Sequence, residues 1–369
     1  MGPPDHTHAG DDVRLGRLVI EDVRRGKLGQ AYLRDIEDIY RFYLTEDQRE
    51  KLAAMGPLKR FFWLNRWLLR NLLFRLAPAR RLLLLMAPVL FLLDAEWRWG
   101  ETRISLRLSP WAFLPVLIVL MLELKDKLLA RDEIEVARHV QISLLPRSHP
   151  ALPGWDVWSA TTPANDVGGD LIDYLEAGGG RTGVALGDVA GKGMGAALLC
   201  AKLQATLRAL APDAADLERL GSRLNGVLER SGLDNRYATL FYCEIAAGDS
   251  EVRYLNAGHN PGFLIRGGEI RALEASSLPL GMLPEVRYRQ GRESLSPGEA
   301  IVLYSDGITE ATNARGEEYG PERLRRIVLA GSGESSEAIA RRVLDDVGVF
   351  LGGEKPHDDQ SLMILRRTT

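Results

Sequence analysis

Hydrophobic and polar positions follow two different periods along this 369-residue chain, and the change falls close to residue 150. Upstream, apolar residues recur at helical spacing. A helix is predicted from about Leu15 to Leu52 on positions such as Ile36, Ile39, Tyr40 and Tyr43, and Pro57 ends it. From Phe61 to Arg75, aromatic and leucine positions interleave with arginines, the pattern of an amphipathic helix lying in a membrane interface. A core helix of a helical domain is the alternative. Two strongly apolar stretches follow, Leu82 to Leu93 and Leu108 to Leu122, each short of the roughly 20 residues that cross a bilayer comfortably. Arginine and tryptophan flanks (Trp97, Trp99, Trp111) extend them by snorkelling. Arg70, Arg75, Arg80 and Arg81 precede the first stretch, and Lys125, Lys127 and Arg131 follow the second. This asymmetry predicts a membrane hairpin with both ends cytoplasmic, against a buried helical hairpin as the alternative. Glu123 to Leu145 then reads as one helix, broadened on its apolar face by Ile134, Ala137 and Val140, suited to dimerisation or signal transfer, with a simple docking helix as the alternative. Pro146 stops it.

Beyond residue 150 the texture changes. Strand-like runs at Trp155–Ala160, Gly183–Leu186, Tyr237–Ile245, Val252–Asn256, Gly262–Ile265, Ala300–Tyr304 and Ser361–Leu365 are separated by glycine turns. Helical patterns span Met194–Leu210, Ala215–Arg230, Pro321–Leu329 and Ser335–Leu351. Strands and helices in separate blocks imply an α+β fold layered around mainly antiparallel sheet. The predicted organisation is a helical region over 1–75, a membrane hairpin over 76–124, a linker helix over 125–150 and a catalytic domain over 151–369.

Charge and cysteine content narrow the function. A net charge of -3 excludes a generally basic surface, so no nucleic-acid partner is expected. Between Lys59 and Arg81, however, every charged side chain is basic. Cys200 and Cys243 form no disulfide framework and read as buried small hydrophobes in a reducing compartment. The polar stretch from Met1 to Asp12 is no cleavable signal peptide.

The chemistry lies in four acidic motifs: Val167-Gly168-Gly169-Asp170, Leu186-Gly187-Asp188-Val189-Ala190-Gly191-Lys192-Gly193, Tyr304-Ser305-Asp306-Gly307 and His357-Asp358-Asp359-Gln360. Each places an aspartate at the end of a β-like run, and strand ends facing one pocket would bring the carboxylates together. Clustered carboxylates repel strongly at low dielectric, so they persist only protonated or around a cation. Oxygen-only donors favour Mg²⁺ or Mn²⁺ over zinc. Neighbouring glycines let backbone carbonyls approach such an ion. A pair of such metals serves in-line attack of water on a phosphoester. No Ser-His-Asp set or cysteine signature offers a rival nucleophile. His259, in Asn256-Ala257-Gly258-His259-Asn260-Pro261, either helps position phosphate, acts as an acid, or makes structural hydrogen bonds in its turn.

These motifs, in this order and at these spacings, closely resemble the PPM-type protein serine/threonine phosphatases of the bacterial SpoIIE/RsbU-like branch. The resemblance extends from about Glu133 to Arg366 and includes the lead-in Ala137-Arg138-His139-Val140-Gln141 to Leu144-Leu145-Pro146. It implies an α-β-β-α sandwich holding two Mn²⁺ or Mg²⁺ ions at one end. Asp188 resembles the bridging carboxylate, with the Val189 carbonyl as a backbone ligand. Asp306 and Asp358 resemble the remaining direct ligands of one metal, and Asp170 the acid of the first motif, acting directly or through water. Asp359 is assigned beside Asp358 as its support, the reverse being the alternative, and Asp173 as a structural partner. Lys192 either adds positive charge or simply opens the following helix. The Arg upstream of the first acid and the His after the bridging Asp that eukaryotic members carry are absent: 163–167 contain no arginine, and Ala190 stands where the histidine would fall.

The resemblance further implies a phosphoprotein substrate, a STAS-type anti-sigma-factor antagonist in a partner-switching pathway. The charge asymmetry around the hairpin places the catalytic domain in the cytoplasm at the inner membrane, a cytoplasmic protein being the alternative, and the linker helix is the element expected to carry the signal and a homodimer contact. Two readings compete with it. One is an inactive relative that only binds the phosphoprotein, although all four aspartates are present. The other is a nucleotide cyclase, suggested by Gly168-Gly169-Asp170 but lacking the acidic partner in Leu171-Ile172.

Overall fold

The computed structural model describes residues 42–99, 102–230 and 236–369, so most of the helix predicted over 15–52 lies outside the described residues. The chain divides into two units, Met1–Lys127 and Leu128–Thr369.

In the first unit, α1 (Glu46–Ala53) opens on a capping box, with the Thr45 hydroxyl accepting from Gln48 N–H and the Gln48 side chain accepting from Thr45 N–H. Pro57 both separates α1 from the next helix and starts it, at the position where a missing N–H costs nothing. That helix, α2 (Pro57–Arg75), is held to the preceding segment by Asn71, whose amide donates to the Tyr43 carbonyl and the Gln48 side chain. Helix α3 (Pro78–Leu92) follows, and Arg80 at its start pairs with Glu123 (2.7 Å) and with Asp126.

The expected membrane hairpin is not built as such. Asp94 ends the first apolar stretch, and β1 (Asp94–Trp99) pairs antiparallel with β2 (Thr102–Arg107), so an extended ribbon takes the place of a short loop. The second stretch runs without a break into the linker helix, giving α4 (Phe113–Leu144) of 32 residues. Charges from Glu123 onward, and the 15-residue length of α3 with Pro88 inside it, leave no helix among the described residues long and apolar enough to cross a membrane.

The second unit holds two five-stranded antiparallel sheets. One has the order β10-β7-β6-β5-β4, from β4 (Asp170–Ala177), β5 (Arg181–Val189), β6 (Ala238–Ala246), β7 (Glu251–Ala257) and β10 (Gln290–Ser294). The other has the order β3-β12-β11-β8-β9, from β3 (Trp155–Thr162), β8 (Gly262–Arg266), β9 (Glu269–Leu273), β11 (Ala300–Tyr304) and β12 (Gln360–Arg367). Period-two alternation separates the layers. Phe241, Cys243, Ile301, Leu303, Met363 and Leu365 pack between the sheets, whereas Leu240 and Tyr242 face α5 (Met194–Leu210) and α6 (Leu217–Glu229). On the other outer face, Val302, Tyr304, Leu362 and Ile364 meet α7 (Pro321–Ala330) and α8 (Ser336–Leu351). The result is an α-β-β-α sandwich. Both cysteines are buried and free, as the composition predicts.

Candidate active site

Antiparallel pairing gathers the acidic motifs at one edge, because the start of one strand lies beside the end of its neighbour. Asp170 opens β4, rather than closing a strand as its motif suggested, and is the direct register partner of Asp188 near the end of β5. In the other sheet, Asp306 follows β11 while Asp358 and Asp359 precede β12, the partner of β11.

Hydrogen bonds join the two edges. The Ser361 hydroxyl lies 2.5 Å from Asp170 Oδ2 and 2.7 Å from Thr161 Oγ1. Asp359 is the organiser of the first motif's loop: its carboxylate accepts from the N–H groups of Ala164 (2.8 Å) and Gly169 (2.6 Å). Those bonds require glycine at 168, where a Cβ would lie 2.4 Å from Asp359 Oδ2. Glycine is equally required at 307, where a Cβ would meet the Asp359 carbonyl at 2.2 Å. With its oxygens engaged in this way, Asp359 holds the loop, and Asp358 is the more exposed of the pair. Asp358 receives the Lys192 ammonium at 2.9 Å, and Lys192 also donates to the His357 carbonyl. Lys192 therefore bridges two of the motifs instead of merely opening α5.

The electrostatics are those of crowded acids. Burial, then the charge of Asp188, pushes Asp170 well above the usual carboxylate range, against the lowering effect of the Ser361 hydrogen bond. Burial, then Asp306, Asp358 and Asp359, lifts Asp188 to about 7. Asp306 is raised by burial and by Asp358.

Two other sequence candidates sit apart from this chemistry. Asp173 is fully buried and takes a two-pronged ion pair from Arg208 on α5, both contacts 2.7 Å, so it fastens helix to sheet. His259 is buried and lowered to about 4 by that burial, hence neutral near pH 7 and no proton donor there. Its Nδ1 meets Thr239 Oγ1 at 2.8 Å, while the Thr239 hydroxyl donates to the Asp188 carbonyl at 3.3 Å. Its Nε2 is buried without a hydrogen bond of good geometry. The histidine thus supports the Asp188 strand end through Thr239.

The donor set fits a hard divalent cation. It contains carboxylate and carbonyl oxygens only, and position 169 is kept clear for them. A Cβ on Gly169 would lie 3.1 Å from the Val189 carbonyl oxygen and 3.2 Å from Asp188 Oδ1. Among the described residues, no three His, Cys, Asp or Glu side chains are drawn close enough to form a closed ligand set on their own.

Sequence reasoning missed three contributors. Gln141 on α4 exchanges two hydrogen bonds with the Gly168 backbone, donating to its carbonyl (2.6 Å) and accepting from its N–H (3.0 Å). Arg138, one turn earlier, lines a cavity of about 240 Å³ together with Asp166, Asp170 and Asp359. Arg236 packs on the second motif, where a Cβ at Gly195 would lie 2.4 Å from its Nη1, and that nitrogen is buried without a partner. Arg138 and Gln141 stand in the lead-in 137–141, where the sequence gives them no role, and Arg236 belongs to no motif.

Comparison with known proteins agrees with this architecture. The family model described as Stage II sporulation protein E (SpoIIE) matches residues 178–368, just over half the chain. "Phosphoserine phosphatase RsbU" of Bacillus subtilis (strain 168) is 29% identical over 239 residues, covering 64% of this chain and 70% of RsbU. Among solved structures, the SiaA-PP2C domain of Pseudomonas aeruginosa superposes with a TM-score of 0.57 at 18% identity, covering 65% of this chain and 98% of that domain. The RsbU and RsbW domains of Rv1364c from Mycobacterium tuberculosis give 0.52 at 24% identity, covering 61% of this chain and 63% of theirs. The chain belongs to the SpoIIE family and is built on the PP2C phosphatase fold.

Proposed function

We propose that this protein hydrolyses phosphoserine or phosphothreonine on a protein substrate, by in-line attack of water on the phosphoester. The observation that carries the reading is the acidic edge itself, in which Asp188 is lifted to about 7 by burial and by Asp306, Asp358 and Asp359. Two hard divalent cations, Mn²⁺ or Mg²⁺, held by Asp170, Asp188, the Val189 carbonyl, Asp306 and Asp358, would supply the Lewis acidity that ionises water near neutral pH. The chain's own residues do the positioning. Ser361 and Asp359 hold the Asp170 loop, and Thr239 with His259 holds the Asp188 strand end. The buried Arg236 guanidinium and the exposed Lys192 ammonium, which pairs with Asp358, are the cations beside the second motif.

The relative named phosphoserine phosphatase supports the reaction class. A small phosphorylated anti-sigma-factor antagonist of the STAS type is the substrate we favour. The Gln141–Gly168 exchange supports a signalling role for α4, since it couples the helix to the loop that carries Asp170.

The test is phosphate release from a phosphoserine protein by the full chain with Mn²⁺, Mg²⁺ or chelator. Activity that needs the metal and falls at least a thousandfold in Asp188→Asn, with the circular dichroism spectrum unchanged, is expected. Metal-independent hydrolysis would rule the mechanism out. Saturable phosphoprotein binding with no turnover would favour the binding-only reading.

A further inference from the structure

Outside the sandwich, the most unusual surface is on the first unit. About two-thirds of the exposed large apolar side chains among the described residues lie within residues 42–127. Helix α2 buries none of its residues, and α3 buries only Ala87. On α2, Leu58, Phe62 and Leu69 fall on one stripe with Phe61 beside it, and each is more than half exposed. A contiguous apolar face of this kind is costly to leave in water and marks an interaction surface.

The charges along it are one-sided. No acidic residue occurs from Lys59 to Arg81, whereas that span holds seven lysines and arginines. Arg75 and Arg81 bond to backbone carbonyls and Arg80 is paired with acids, but Lys59, Arg60, Arg66 and Arg70 are exposed. Arg66 lies over Trp63 (5.3 Å) and Arg70 over Phe74 (5.6 Å), which sets guanidinium groups over the faces of aromatic rings. Phe62, Leu69 and Phe74 line an apolar groove of about 630 Å³ whose rim carries Arg66, Arg70 and Arg81. Apolar side chains between cations match the acyl–headgroup boundary of an anionic bilayer. A second copy of the chain would instead oppose like charges across the contact.

We propose that α2 docks in the plane of an anionic membrane surface, with Phe61, Phe62 and Leu69 entering the acyl boundary and Arg66 and Arg70 contacting lipid phosphates. Attachment is interfacial, and no helix among the described residues is both long and apolar enough to cross a membrane. It is independent of the phosphatase reading, since it uses no residue of the acidic edge.

Vesicle co-sedimentation of the full chain tests it, with phosphatidylcholine vesicles alone or containing phosphatidylglycerol. Binding at least tenfold tighter to the anionic vesicles, and weakened by high salt, is expected. Because each basic residue at a membrane surface contributes about fivefold, Arg66→Ser/Arg70→Ser should lower affinity about twenty-five-fold. Phe61→Ser/Phe62→Ser should weaken binding even at low salt. Neither pair should change phosphatase activity, which also certifies the fold of the variants. Equal affinity for neutral and anionic vesicles would overturn the proposal. So would full competition by soluble glycerol phosphate, or an apolar face occupied by self-association that excludes vesicles.

Discussion

Asp188 sits where burial and three neighbouring acids oppose its ionisation, and its carboxyl is lifted to about 7. The unfolded chain releases the same proton near 4. Between those values the folded state binds the proton more tightly, so in chelator the protein should lose stability as pH rises from about 4 to 7. Asp188→Asn should reduce that slope, and Mn²⁺ should raise the melting temperature most at the alkaline end. Melting curves across pH with and without metal check this. A metal-free stability that climbs over the same range would contradict the electrostatics. Other residues divide their labour less evenly than their shared acidity suggests. Asp359 spends its oxygens on backbone amides, Asp173 on Arg208, and Asp358 on Lys192. The motif resemblance separated Asp359 and Asp173 from the direct ligands, but the partners they take depend on what lies across the fold.

At the scale of elements, α4 is the piece whose chemistry matters most to the acidic edge. Gln141 exchanges two hydrogen bonds with Gly168, and Gln204 of α5 donates to the Leu144 carbonyl near the end of α4. Gln141→Ala removes both bonds to the loop, each worth about 1 kcal/mol net. Activity at limiting Mn²⁺ should therefore fall by up to about thirtyfold, with a smaller loss at saturating metal. An unchanged Mn²⁺ dependence would separate the helix from the loop's ordering. The four long helices of the second unit and its long central strands were legible because their apolar periods are strong and glycine or proline marks their ends. Strands β4, β9 and β10 were not. β4 buries Asp170 and Asp173 on a strand that propensity disfavours, and β10 carries Gln290, Arg292 and Glu293 at a sheet edge. The ribbon β1–β2 was masked by the apolar stretches on either side, which drew the reading towards a membrane hairpin. Composition alone does not distinguish an apolar segment that spans a bilayer from one that lies along it. The 15 residues of α3 are too few to span one.

For the whole molecule, the sandwich explains why four motifs spread over nearly two hundred residues act together. Antiparallel order places the start of β4, the end of β5, the end of β11 and the start of β12 at one edge, and the sheets are joined there by Ser361 and Asp359. The gathering of the acids was readable from the motifs, whereas of the cations around them Arg138 stands in the lead-in without an assigned role and Arg236 in a segment with no motif of its own. The account stands on those acids holding hard cations. Calorimetric titration of the metal-free full chain with Mn²⁺ examines this without any substrate. Saturable binding of two ions per chain, with at least one lost in Asp188→Asn, is the predicted result. No saturable binding by the folded wild-type chain, or binding untouched by that substitution, would contradict it.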